Sequence, residues 1–239
     1  MVDFTNLLDQ FVGGKQASGG AGGGGGRSGL AGGSLGGIAG GTLAGGLAGL
    51  LMGSKGGRKV AKSAVTYGGV ALLGGLAYKA WRDWQSGKAA GQAPPTSADA
   101  IEPPPADGRF RPPAEAPAAD TQALSQTLLR AMIAAAKADG HIDQDEQRRI
   151  FGEVDRLDLG AEEKAFVIEE LSRPLDVQAV VAGATCPERA AEIYAASLLA
   201  VDPDTPAERA YLSLLAERLG LEPALVDHLH ANVGAAVER

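Results

Sequence analysis

The chain is poor in the residues that build reactive centres. Its one cysteine, Cys186, excludes a disulfide within the chain, and no histidine–aspartate constellation accompanies it to make a convincing nucleophile. It reads as a small residue in the first turn of a helix. There are three histidines. His228 and His230 stand two apart, so on a helix they point in different directions and chelate poorly. His141 alone lies near an acidic cluster. Aromatic residues make up only 5% of the 239 positions. Gly22 to Gly26 neither follows a strand nor precedes a Lys-Ser/Thr pair, so it is no phosphate-binding loop. These absences lead to the expectation of a non-catalytic protein.

Positive charge is scarce in the second half. Residues 120–239 hold 11 Lys/Arg against 22 Asp/Glu, a balance of −11, whereas residues 1–119 stand at +4; the whole chain carries −7. Nucleic-acid binding needs a basic footprint, which the acidic half does not supply.

The longest gap in charge runs from Leu30 to Met52, where no charged residue occurs. Within and just beyond it, Gly33, Gly37, Gly41, Gly45, Gly49 and Gly53 recur every four positions. On a helix such positions share a face, and a bare glycine face lets another backbone approach closely. Leu35, Ile38, Leu43, Leu47 and Leu50 fill the other sides. A helix of this length reaches about 34 Å, enough for a hydrocarbon core of about 30 Å. Its Leu and Ile residues supply only about −3 to −4 kcal/mol towards insertion, so a partner helix is expected. The second apolar run, Ser63 to Tyr78, follows the basic interruption Lys55, Arg58, Lys59 and Lys62. At about 24 Å it is short, but Lys62 and Lys79 can snorkel and Trp81 and Trp84 can sit among headgroups. The expectation is a Gly-rich membrane-associated helical hairpin that also self-associates.

Before it, Phe4, Leu7, Leu8, Phe11 and Val12 form one face of an amphipathic helix. That face either lies on a membrane surface or docks on the C-terminal domain. Gly19 to Ser28 reads as flexible linker. Pro94, Pro95, Pro103, Pro104, Pro105, Pro112 and Pro113 mark a semi-rigid spacer that sets the following domain away from the bilayer.

From Asp120 onward the pattern is helical. Helices are expected over Thr121 to Ala138, from Asp143 through Leu157, then Ala161 to Ser172, Asp176 to Ala182, Pro187 to Val201, Pro206 to Leu219 and Pro223 to Ala236. Asp143 with Glu146, Thr185 with Glu188 and Thr205 with Glu208 have cap-to-N3 spacing, and Gly220 fits a helix stop.

Two helix-to-helix junctions concentrate carboxylates. Asp139, Asp143, Asp145 and Glu146 occupy the first, and Asp202, Asp204 and Glu208 the second. If the junctions pack side by side, these oxygens suit a hard divalent cation; helix capping alone also accounts for Asp143, Glu146 and Glu208. The spacing is not that of an EF-hand.

At these residues the chain resembles a known family. The Asp139-Gly140-His141-Ile142-Asp143 to Glu146 motif, with Asp202-Pro203-Asp204 to Glu208-Arg209-Ala210-Tyr211-Leu212, is similar to the TerB-like domain of tellurite-resistance-associated proteins. The whole layout resembles the YebE-like branch, described as bacterial inner-membrane proteins. The resemblance implies an all-helical fold, an inner-membrane location and an acidic metal-binding surface, although Pro203 stands where that motif usually has glycine. The expected organisation is all-α: residues 1–29 an amphipathic helix and linker, 30–84 the membrane-associated region, 85–119 the Pro/Ala linker, and 120–239 an acidic bundle of six to seven helices. Two roles follow: a non-catalytic, membrane-anchored interaction or scaffold protein, responsive to a divalent metal and related to stress, with an unknown protein partner, or a soluble, self-assembling metal-binding protein whose Gly-rich region only mediates association.

Overall fold

One helix, Pro187–Ala200, is enclosed by the others in the computed structural model, which describes residues 3–13, 69–91, 104, 109–110, 118–138, 160–201 and 203–237. In chain order the described helices are α1 (Phe4–Gly13), α2 (Gly69–Gln85), α3 (Ala118–Ala136), α4 (Ala161–Ser172), α5 (Val177–Val181), α6 (Pro187–Ala200), α7 (Pro206–Arg218) and α8 (Pro223–Val237). No strand occurs among the described residues. Every residue of α6 from Ala190 to Ala200 is buried, as expected of a helix that is mostly small and apolar around its circumference, although Glu192 and Ser197 are buried with the rest. Its alanines let α3, α2, α8 and α7 approach closely.

Local chemistry sets the helix ends. Pro206 and Pro223 open α7 and α8, where a missing N–H costs nothing and a fixed φ is already helical. Thr205 and Glu208 form the expected capping box: Glu208 N donates to Thr205 Oγ1 at 3.2 Å, and Thr205 N donates to Glu208 Oε2 at 3.0 Å. Asp176 caps α5 through the Ala179 N–H. After α7, Gly220 takes φ +66° and donates to the Glu217 carbonyl, while Leu221 N reaches the Ala216 carbonyl, a Schellman closure. The expected Thr185–Glu188 box does not form. Pro187 occupies the first helical position, so the cap falls on Cys186, and Glu188 lies one residue short of N3. Glu188 turns instead to Arg109, at 3.6 Å.

The N-terminal helix docks on protein. Leu7, Leu8, Phe11 and Val12 are 0–4% exposed against α3 and α2. The first amides of a helix have no intrahelical acceptor. Here other elements supply two of them: Asp3 N donates to Glu163 Oε1 and Phe4 N to Gln122 Oε1, both at 2.6 Å. Phe4 also meets the Phe166 ring edge-on at 4.9 Å.

The second apolar run departs from its expected place. Its described part, α2, packs into the same core as the C-terminal helices, against α1, α6 and α8, rather than standing as the second arm of a lipid-embedded hairpin. Lys79 does not snorkel; its Nζ donates to Asp83 Oδ2 and Asn232 Oδ1, each at 2.8 Å. Trp81 meets Trp84 at 5.2 Å and Phe110 at 5.8 Å. A face of glycine, alanine and leucine suits a neighbouring helix as well as lipid, so composition did not distinguish them. The core therefore crosses the boundaries expected at 84/85 and 119/120, and Arg109–Phe110, within the expected spacer, lie against the bundle. Among the described residues no helix is long and apolar enough to cross a membrane. The Gly-rich run 30–52, the basic interruption 53–62 and the helix expected from Asp143 lie outside the described residues.

Candidate functional site at the helical junctions

Of the seven expected cation ligands, Asp139, Asp143, Asp145, Glu146 and Asp202 lie outside the described residues, as does His141. Asp204 is exposed at the start of α7, and its backbone carbonyl accepts from Arg209 Nη1 at 2.6 Å. Glu208 is half-buried and engaged in the cap. Among the described residues no three His, Cys, Asp or Glu side chains come close enough to hold a metal ion. Because the Thr205 hydroxyl satisfies an orphan amide, Thr205→Ala is expected to cost about 1 kcal/mol in urea unfolding. An unchanged midpoint would show the cap to be idle.

The two C-terminal histidines diverge, as their spacing requires. His228 is buried and its Nε2 meets the Lys88 carbonyl at 3.0 Å. His230 Nε2 lies 3.0 Å from the Tyr194 hydroxyl. Burial pushes Tyr194 up to about 12, with Asp227 adding to the shift, and burial lowers His230 against the opposing pull of Asp227. This pair edges a mainly apolar groove of about 610 Å³, whose walls include Leu212, Ala216, Val226 and Arg209. A second cavity, about 470 Å³, lies between Trp81, Trp84, Cys186, Pro187 and Leu225. Both fall within the size range of ligand pockets.

Sequence reasoning missed the buried ionic groups. Asp83, 2% exposed at the end of α2, is held by Lys79 and by Lys88 at 3.1 Å. Burial pushes this carboxyl up, but the hydrogen bonds and charges of Lys79 and Lys88 outweigh it and hold the pKa below the ordinary aspartate value. Through Lys79 and Asn232 the same cluster ties α2 to α8.

On α6, Glu192 is also 2% exposed. Its Oε2 accepts from Arg189 Nη1 at 2.7 Å, and its Oε1 would lie 3.3 Å from a Cβ built on Gly74 of α2. Desolvation drives this carboxyl up to about 7, against the favourable charge and hydrogen bond of Arg189 and with the repulsion of Glu188. A signal was present in the sequence: a lone acid within the otherwise small and apolar run Ala190–Ala200, with Arg189 one turn before it.

Comparison with known proteins assigns the chain to a family. A Yersinia enterocolitica protein described as "Uncharacterized protein in ampR 5'region" is 28% identical over 108 residues, covering 45% of this chain and 78% of the relative. No solved structure matches. A family model described as "Protein of unknown function (DUF533)" matches residues 37–233, and the chain belongs to that family.

Proposed function

We propose that the protein is a non-catalytic, TerB-like interaction module of the YebE-like kind, attached by its Gly-rich region to one face of the bacterial inner membrane and presenting its acidic helical bundle to a protein partner. The observation that carries this reading is where the two ends of residues 14–68 emerge. Asp9 Oδ1 of α1 accepts from Gly69 N of α2 at 2.6 Å, and a Cβ at Gly69 would lie 3.1 Å from the Leu8 carbonyl oxygen. The middle of α1 and the start of α2 therefore lie side by side in the bundle, which puts the two flanks of residues 14–68 on the same side of any bilayer.

Charge then limits the path. One full crossing by residues 30–52 requires a return through 53–68, carrying Lys55, Arg58, Lys59 and Lys62 into hydrocarbon. At roughly 2.5–3.5 kcal/mol for each cation at the centre of a membrane helix, burying two or more of the four costs about 5 kcal/mol or more, which exceeds the gain of about 3–4 kcal/mol from the Leu and Ile residues. Insertion from one face keeps the apolar run in lipid and the cations at the headgroups.

In the described helices the polar groups join structural elements: Glu163 holds α1, Asp83 joins α2 to Lys88, and Glu208 caps α7. The groove beside Tyr194 and His230 is the candidate surface for the partner. A divalent cation belongs to this reading as a ligand of the acidic junctions, with exposed Asp204 as one donor.

Full-length protein is expected to float with liposomes, to resist alkaline carbonate, and to present N-terminal and C-terminal reporter tags on the same side of the membrane. Recovery wholly in the aqueous phase as a defined oligomer would favour self-association without anchoring. Tags on opposite sides would overturn the one-face arrangement. Calorimetric titration of Mg²⁺, Ca²⁺, Mn²⁺ and Zn²⁺ into the full chain, with Asp139→Asn as control, tests the cation. Silence for all four removes it.

A further inference from the structure

The α2–α6 seam places a buried acid directly beneath a helix backbone. We propose that this seam is a proton-sensitive clasp, in which the Glu192 carboxyl under Gly74 holds α2 on the bundle when protonated and loosens it when ionised. Gly74 presents no side chain, so the backbone of α2 closes over Glu192 Oε1 and excludes water from it. A carboxylate there loses hydration that, among the described residues, Arg189 alone offsets, and the Arg189 side chain is itself 24% exposed. When α2 lifts, water reaches the acid and the ionised form is no longer penalised.

The charges acting on Glu192 come from its own helix. Arg189 pairs with it, and Glu188, four residues earlier, repels it while facing Arg109 from the linker. Among the described residues, the paired charged groups of the surrounding helices engage other partners, Arg82 of α2 lying over the Tyr78 ring. Lys79 and Asp83 of α2 close on each other. Arg130 of α3 pairs with Glu170, and Lys137 beyond α3 donates to the carbonyls of Glu170 and Arg173. On α7, Glu208 caps the helix and Arg209 donates to the Pro203 and Asp204 carbonyls. On α8, His228 meets the Lys88 carbonyl, and Asp227 acts on the Tyr194–His230 pair.

The sign follows from linkage. The docked carboxyl titrates at about 7, above the ordinary value of 4.5, so docking takes up a proton. The contribution is fully present below 4.5 and declines as pH rises through 7. Between pH 6 and pH 8 the opening constant of α2 should increase about tenfold.

The only two tryptophans in the chain, Trp81 and Trp84, lie on α2, so their emission reports its docking. In full-length protein, α2 amide protection factors, corrected for intrinsic exchange, are expected to fall about tenfold from pH 6 to pH 8. Glu192→Gln, which keeps the shape of the protonated acid, should stay protected at both pH values. A pH-independent wild type, or the same fall in Glu192→Gln, overturns the proposal. Arg189→Gln provides a second test: loss of its charge should move the transition to higher pH. An unmoved midpoint also overturns the clasp.

Discussion

Phe11→Ala is expected to remove about 3–5 kcal/mol of stability, lowering the urea midpoint by about 2 M. The Phe11 ring is 1% exposed, and Leu7, Leu8 and Val12 share its face in the same core. Truncation leaves a cavity bordered by helices already fixed through backbone hydrogen bonds, so collapse around the gap is restricted. The α1 entry is tied to Glu163 and Gln122, and Asp9 holds the start of α2. Loss of packing at Phe11 therefore weakens two helix contacts together. Tryptophan emission follows the transition from α2. A helix resting on a lipid surface would leave the urea midpoint of the bundle in buffer unchanged, so an unaltered midpoint would overturn the docking of α1.

Asp83→Ala is the second large effect, with an expected loss of about 2–3 kcal/mol at neutral pH. The full penalty of a broken buried ion pair does not apply, because Lys88 is 54% exposed and returns to water. Lys79 keeps Asn232 but loses its buried counter-charge. The pH dependence has a definite sign. A carboxyl held below its ordinary value stabilises the fold above pH 3.8, and that contribution is lost as pH falls through the lower folded value. Wild type and variant should thus differ most near neutrality and converge in strong acid. Urea unfolding at pH 7 and pH 3 measures this. A difference that widened towards pH 3 would show that Asp83 is not the stabilising anion.

The two sites titrate in opposite senses because their partners differ. Asp83 has two lysines and a hydrogen bond from each, enough to overcome desolvation. Glu192 has one arginine and a neighbouring acid, which is not enough. The contrast gives α2 an acid-sensitive anchor at its C-terminal end and an alkali-sensitive one at its middle.

Much of the local structure was legible. Asp176, Thr205, Pro206, Pro223 and Gly220 act on backbone within a few residues, so their positions mark the helix ends directly. Pro187 was equally local, yet it shifted the cap to Cys186 because the first-turn position of proline outranked the Thr185 spacing. The buried face of α1 was also readable, since Leu7, Leu8, Phe11 and Val12 repeat at helical intervals. The candidate site was less legible. The acidic junctions stood out by composition, but only Asp204 and Glu208 fall among the described residues, and Glu208 proves to be a cap. Asp83 and Glu192 have their ionic partners close by in the chain, Lys79, Lys88 and Arg189, but their burial comes from neighbouring helices, whose proximity has no sequence spacing to reveal it.

The sequence by itself determined the helical class, most helix ends, the acidic balance of the second half and the amphipathic face of the first helix. These follow from periodicity, capping and composition, which act over a few residues or require no contacts at all. Tertiary structure decided what each apolar face meets: α1 and α2 enter the C-terminal core, Gly69 sits against Asp9, and Gly74 covers Glu192. The physical reason is that burial of an apolar face is non-directional. Leucine and glycine gain from any close, water-free neighbour, and only assembly of the chain specifies which neighbour that is.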